Sequence, residues 1–308
     1  MGGADGYRWR DASWLAQAHE WIDSALAELG RDRTGAIEQP HVYPWSTVLR
    51  VPTPEGSVWF KANEEALRYE VAVVERIAAR RAEVVPALLA ADHAAGWMLL
   101  SDAGEPLRVL VERERSLDRW HEVLPLYARV QRDLAADIDQ LLDAGVPDRR
   151  LATLPAAYER LVDEIGAQQR FRDAARMVGD LCAELAAFGL PELLQHDDLH
   201  DGQVFVRGGR YLLLDWGDAC ISHPFFTLSV TLEGVLAWGL DDVANSVDIA
   251  PFRDSYLAVF AEREPRDLVA AARIAQRLGW VCRAVNGHVQ GDTERTLTRL
   301  RMFLDRRP

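Results

Sequence analysis

The sequence predicts an α+β protein, with an antiparallel sheet in its N-terminal part and a larger, mostly helical C-terminal part. Three observations predict it. Residues 46 to 61 read as an extended hairpin, Ser46-Thr47-Val48-Leu49-Arg50-Val51 and Ser57-Val58-Trp59-Phe60-Lys61 around the turn Pro52-Thr53-Pro54-Glu55-Gly56. Beyond Gly104, apolar residues recur at helical spacing through most of the chain. No internal repeat and no low-complexity linker divides the chain, so the boundary falls near Gly104, giving parts 1–104 and 105–308.

Taken in order, Trp14, Ala18, Trp21, Ala25 and Leu29 predict a helix over 13–29 that Gly30 ends. After the hairpin, a second helix is expected over 64–81. A short apolar run at 84–89 leads to Gly96-Trp97-Met98-Leu99-Leu100, which reads as a buried strand, and Ser101-Asp102-Ala103-Gly104 reads as a turn. Helices are expected over 108–144, 155–168 and 172–188. Two short strands, Val204-Phe205-Val206 and Tyr211-Leu212-Leu213-Leu214, follow around Gly208-Gly209, and 225–305 returns to helix.

With 308 residues, 49% hydrophobic and 27% charged, the chain can bury a sizeable core and is not a disordered tract. A formal charge of -13 argues against a nucleic-acid binder and favours a neutral or cationic small molecule. No apolar run approaches the ~20 residues of a membrane span, and Met1-Gly2-Gly3-Ala4-Asp5 lacks the pattern of a signal peptide. Cys182, Cys220 and Cys282 are odd in number and far apart, which suits a reducing cytoplasm. Of 35 basic residues, 34 are Arg and one, Lys61, is Lys. A lone ammonium in an Arg-rich chain points to a site that needs a compact, rotatable charge.

The densest reactive cluster is His196-Asp197-Asp198-Leu199-His200-Asp201-Gly202-Gln203, followed by the two-stranded ribbon and Asp215-Trp216-Gly217-Asp218. The ribbon is expected to return Asp215 to the side of the Asp198 loop, and carboxylates with an amide oxygen suit magnesium. An Asp with an amide residue five positions on, then Asp-x-Gly, is the spacing of a kinase catalytic loop and its metal motif.

With these residues the sequence resembles the aminoglycoside phosphotransferase family, the protein-kinase-like enzymes that phosphorylate small-molecule hydroxyls. The family loop reads roughly His-Gly-Asp-Leu-His-x-Gly-Asn, and its metal motif reads Asp-Trp with a later Asp-Pro. The resemblance covers roughly residues 40 to 240. It implies a two-lobed kinase-like fold with a hinge near 100–104, the catalytic loop at 196–203 and the metal motif at 215–218. It also implies transfer of a γ-phosphate from ATP, with GTP equally open, to an aminoglycoside, amino sugar or related metabolite. Asp198 falls at the catalytic base, and Gln203 and Asp215 at the ligands of Mg2+. Asp197 stands where the family has Gly. Gln203 stands where it has Asn, a form shared with bacterial maltokinases and glucosamine kinases. His223-Pro224-Phe225-Phe226-Thr227-Leu228 stands for Asp-Pro-x-x-Asp-Leu.

Lys61 closes its strand as the phosphate-binding lysine of kinases does. On the following helix, Glu70 falls within the apolar stripe Leu67, Val71, Val74, Ile77 and Ala78, and a charge on a buried face needs a partner. Glu70 with Lys61 is that pair. The segment Tyr43-Pro44-Trp45-Ser46-Thr47 has no Gly-x-Gly, so the hydroxyl of Ser46 or Thr47 is expected to meet phosphate. The backbone around Leu100 and Asp102 is expected to meet the base. Asp201, Glu233, Trp238, Asp241 and Trp280 are candidates for the acceptor, acids for a cation and aromatics for a sugar face. Two rival readings use the same residues: a metal-dependent hydrolase built on His196, Asp198 and His200, and a nucleotide-binding pseudokinase scaffold. Nothing in the sequence sets the oligomeric state.

Overall fold

The computed structural model describes residues 7–305; the N-terminal stretch Met1–Asp5 lies outside them. The chain forms two units, one of Met1–Glu105 with Phe205–Gly217 and one of Pro106–Val204 with Asp218–Pro308. Residues 205–217, assigned by the sequence reading to the helical part, therefore count with the first unit.

The first unit carries β1 (Glu38–Val42), β2 (Ser46–Thr53), β3 (Gly56–Asn63), β4 (Leu88–Asp92) and β5 (Trp97–Ser101), in the order β1-β2-β3-β5-β4. Every pairing in that sheet is antiparallel. Strand periodicity divides β3 between two faces. Val58, Phe60 and Ala62 join the apolar core with Leu49, Val51 and Leu99, under α1 (Ala12–Glu28), whose Ile22 and Leu26 are buried. Trp21 lies 5.6 Å from Phe60 and 5.8 Å from Trp97, ring centre to ring centre. The opposite parity, Lys61 and Asn63, turns to the polar side. Register places Lys61 against Val48 on one neighbour and Met98 on the other.

The second helix, α2 (Glu70–Arg81), is shorter than expected, because 3-10 turns occupy Glu65–Leu67 ahead of it. Glu70 therefore stands in the first turn, where the exposed amide dipoles favour a carboxylate. After the short strand β6 (Glu105–Pro106) the chain enters the second unit, and β8 (Val204–Arg207) and β9 (Arg210–Leu213) form the predicted ribbon. Gly104 has φ +86, and a Cβ there would run into the Val206 carbonyl oxygen, so no other residue allows so close an approach.

The second unit is helical: α3 (Leu107–Glu114), α4 (Trp120–Asp133), α5 (Ile138–Asp143), α6 (Leu154–Glu164), α7 (Gln169–Asp173), α8 (Ala175–Ala186), α9 (Ala250–Leu257), α10 (Pro265–Asn286) and α11 (Thr293–Asp305). The helix expected over 108–144 is three, and Arg115, at φ 52, ends the first. The expected return to helix over 225–305 also breaks. A π-helix spans Ser229–Val235, and Gly239, Asp242 and Asn245 take left-handed backbone. Gly, Asp and Asn are the residues that tolerate such turns, a signal the apolar spacing hid. Gly279 lets α10 approach, since a Cβ there would strike Ser229 Oγ and the Phe226 carbonyl. Two short strands unseen in the sequence, β7 (Leu193–Gln195) and β10 (Cys220–Ser222), pair antiparallel and bracket the catalytic-loop sequence. Among the described residues no helix is long and apolar enough to cross a membrane.

Candidate active site

Lys61 is held from two sides. Its Nζ lies 2.7 Å from Glu70 Oε1 and 2.6 Å from Asp215 Oδ1. Glu70 is buried, and its other oxygen accepts from Asn63 Nδ2 at 2.7 Å. The Trp216 amide donates to Glu70 Oε1 at 2.9 Å, and the Tyr69 hydroxyl donates to the Gly217 carbonyl at 2.6 Å. These bonds explain how the ribbon's return delivers Asp215, at φ 62, to a lysine 154 positions earlier in sequence. Burial disfavours the ammonium, but Asp215 and Glu70 outweigh it and push the Lys61 pKa up. Lys61 is therefore a permanent cation at any physiological pH.

The other expected nucleotide contacts are less open. Ser46 is buried at the start of β2. Thr47 has spent its hydroxyl, donating to the His41 carbonyl at 2.7 Å and accepting from Gln39 Nε2 at 3.0 Å. Through these bonds it fastens the β1–β2 edge. Leu100 pairs with Trp59 across the sheet, and Asp102 Oδ1 accepts from Trp59 Nε1 at 3.1 Å.

In the second unit the catalytic-loop sequence rests on a buried polar network. The His196 amide donates to the Tyr127 hydroxyl at 2.8 Å. Gln131 Nε2 donates to the Leu194 carbonyl at 3.0 Å, and the Tyr256 hydroxyl donates to Gln131 Oε1 at 2.6 Å. Thr231 Oγ1, on the π-helix, donates to the Leu199 carbonyl at 2.7 Å. His196 and His200 hold backbone, as Nδ1 acceptors for the amides of Asp198 at 3.4 Å and Gly202 at 3.0 Å. Gln203 closes the loop with its amide on the His200 carbonyl at 2.9 Å.

His223 shows what its departure from the family pattern does. It caps the turn Pro224–Phe226, accepting at Nδ1 from the Phe225 amide at 3.2 Å. Burial pushes its pKa down to about 3, so it remains the neutral acceptor that this role requires.

Asp197 and Asp198 occupy opposite environments. Asp197, at φ 64, adopts the left-handed backbone for which glycine is the usual choice, and Asp is among the few substitutes. Its side chain is buried and accepts from Asn286 Nδ2 at 3.2 Å. Asp198 is partly exposed, with Oδ2 2.9 Å from Arg283 Nη2. Asp197 and Asp218 gather on that same guanidinium. The signal that finds Arg283 is the one that finds Glu70: a charge on the buried stripe of a helix, here with Leu268, Ala272, Ala275 and Gly279.

Burial pushes the Asp197 carboxyl up to about 7. Between its unfolded value near 4 and pH 7 the folded chain keeps a proton that the unfolded chain has lost. Stability therefore falls as pH rises through that interval. Replacing Asp197 with Asn should flatten this slope, which is worth at most roughly 4 kcal/mol. Thermal melts of both proteins at pH 5 and pH 8 check it; equal pH responses would show that Asp197 is ionised throughout.

The acceptor candidates separate. Glu233 and Trp280 come together, with Trp280 Nε1 donating to Glu233 Oε2 at 2.7 Å, and Trp238 Nε1 donates to the Glu233 carbonyl at 3.2 Å. Asp201 is engaged by Arg108 at 2.8 Å and Asp241 by Arg115 at 2.7 Å, so neither is an unclaimed anion. Trp280 is 7% exposed and packs on Gly234, which makes it chiefly a core residue.

The hydrolase reading finds no support. Among the described residues the one group of metal-ligand type whose atoms lie within 4.8 Å of each other is Asp197, Cys220 and Cys282, not His196, Asp198 and His200. Cys220 and Cys282 are not joined by a disulfide, and their sulfurs lie 3.9 Å apart. The hydrogen bond to Cys220 and burial both raise the Cys282 thiol, so it keeps its proton.

An antiparallel sheet with one lysine–glutamate pair, joined to a helical unit with the His-x-Asp-Leu-His loop, defines a protein-kinase-like phosphotransferase. A sequence profile described as the phosphotransferase enzyme family matches residues 42–268. The chain belongs to that family. No curated protein sequence matches it significantly. Among solved structures it is similar to a Plasmodium vivax ethanolamine kinase, at 9% identity and TM-score 0.66, over 94% of this chain and 88% of that one. The ternary complex of the aminoglycoside phosphotransferase APH(2")-IIa with streptomycin and ATP gives 13% identity and TM-score 0.63, over 94% and 98%. A choline/ethanolamine kinase family protein from Mesorhizobium loti gives 18% identity and TM-score 0.60, over 93% and 91%. At such identities the likeness is one of fold.

Proposed function

We propose that the chain transfers the γ-phosphoryl group of ATP, or of GTP, to a hydroxyl of an aminoglycoside, amino sugar or related small metabolite. The observation that carries the reading is Lys61 fixed between Glu70 and Asp215 in a chain of this family. In this reading Lys61 holds nucleotide phosphate, Asp198 takes the proton of the acceptor hydroxyl, and the backbone near Leu100 and Asp102 meets the base.

The charge balance favours a divalent cation. Lys61, Glu70 and Asp215 together carry one net negative charge, which polyphosphate alone would meet as repulsion. Asp215 offers a carboxylate and Gln203 an amide oxygen, the hard donors that suit Mg2+. Bound there, the ion would neutralise charge on the phosphates. Structures of similar fold carry names that include aminoglycosides, ethanolamine and a macrolide phosphotransferase, which supports a small hydroxylated acceptor, with a cationic one favoured by the charge of -13. A triphosphate donor and three cysteines, odd in number and far apart in sequence, suit the cytoplasm.

Phosphate transfer from ATP and from GTP to a panel of aminoglycosides, amino sugars, amino alcohols, neutral sugars and macrolides, with and without magnesium, tests the reading. Magnesium-dependent transfer to one class is the expected result. Nucleotide binding without turnover on any acceptor would favour the scaffold.

A further inference from the structure

Arg283 stands in the last turn of α10, is buried, and draws three carboxylates to one guanidinium. Nη2 is 2.9 Å from Asp198 Oδ2, while Nη1 is 3.0 Å from Asp218 Oδ2 and 3.7 Å from Asp197 Oδ2. The surroundings are built to keep it there. Asn286 Nδ2 ties down the Asp218 carbonyl at 2.7 Å as well as Asp197. Arg299 Nη1 donates to the carbonyls of Arg283 at 3.2 Å and Gly287 at 2.6 Å. A Cβ on Gly287 would come within 2.5 Å of Arg283 Nη1, so glycine leaves the space the guanidinium needs.

We propose that Arg283 is a positioning residue for phosphoryl transfer, acting through Asp198; the inference rests on the reading of Asp198 as the base. One half-buried carboxylate, Asp218 at 3.0 Å, already balances the guanidinium's charge, and the buried Asp197, which keeps its proton toward neutral pH, stands farther off at 3.7 Å. The third, partly exposed acid is the one its free edge orients. With Oδ2 committed to Arg283, Oδ1 is the oxygen presented to an acceptor. The acceptor O–H proton passes to Oδ1, the hydroxyl oxygen bonds to the γ-phosphorus, and the bond to the β-phosphate oxygen breaks. The nucleoside diphosphate leaves with that electron pair. Arg283 exchanges no proton. A planar fork can serve several carboxylates at once, whereas an ammonium is a point charge, so lysine is a poor substitute.

The test measures hydrolysis of magnesium–ATP, with water in the acceptor's place, for Arg283→Ala, Arg283→Lys, Asp198→Asn and the double variant Arg283→Ala/Asp198→Asn. Nucleotide titrations and thermal melts accompany it. Arg283→Ala should lower kcat by about 10²-fold, as expected for a displaced catalytic group, with ATP affinity unchanged. Added guanidinium ion, but not ammonium, should restore part of the rate. In the Asp198→Asn background Arg283→Ala should cost nothing more, because both changes disable one unit. A merely structural arginine would give losses that add in the double variant and no rescue by guanidinium, and either result overturns the proposal. If Arg283→Ala does not fold, Arg283→Lys decides: a rate about 10-fold lower at unchanged ATP affinity supports the proposal, and a wild-type rate overturns it. Failure of the underlying reading is distinguishable, because Asp198→Asn would then hydrolyse ATP as the wild type does.

Discussion

Asp198→Asn should lower turnover by about 10²- to 10⁴-fold, the contribution of a general base, while nucleotide affinity stays near that of the wild type. The expectation follows from where the carboxylate is held. Asp198 is ion-paired with Arg283, whereas Lys61 is paired with Glu70 and Asp215. Asparagine keeps the shape but cannot accept the proton. Asp215→Asn should behave differently. Its carboxylate bonds Lys61 at 2.6 Å and is the charged donor proposed for magnesium, so magnesium-dependent nucleotide affinity should fall together with turnover. A nucleotide titration separates the two variants. If Asp198→Asn lost magnesium–nucleotide binding and Asp215→Asn kept it, the assigned roles would be reversed.

Lys61→Arg should be nearly as damaging, with turnover lower by about 10²-fold despite the conserved charge. The lysine side chain is 11% exposed and its single nitrogen bridges two carboxylates at 2.7 and 2.6 Å. A guanidinium is wider and spreads its charge over a plane, so it must displace either Glu70 or Asp215. Crowding of this kind costs about 1–3 kcal/mol in stability. Lys61→Met would cost more, about 3–5 kcal/mol, because Glu70 would be left as a buried charge without its cation. Turnover of Lys61→Arg near the wild-type level would remove Lys61 from the mechanism, whatever its effect on the melting temperature.

The class of fold, the Lys61–Glu70 pair and the loop that carries Asp198 were all legible in the amino-acid chain. Each depends on local physics: strand alternation fixes which side of β3 Lys61 faces, helix periodicity puts Glu70 among valines, and the short spacing from Asp198 to Gln203 confines them to one loop. The same local rules misjudged lengths where turn chemistry competed with apolar spacing, at Arg115 and at Gly239, Asp242 and Asn245. They also gave no sign that the Thr47 hydroxyl bonds the His41 carbonyl. That Asp197, Asp198 and Asp218 share Arg283, and that Asp215 reaches Lys61 across 154 positions, emerges from the folded chain alone. Those partners lie on elements remote in sequence, and periodicity says which face of an element is buried but not which other element covers it. Buried charges must find opposite charges, yet which ones meet depends on how the chain folds back on itself, and no local pattern records that.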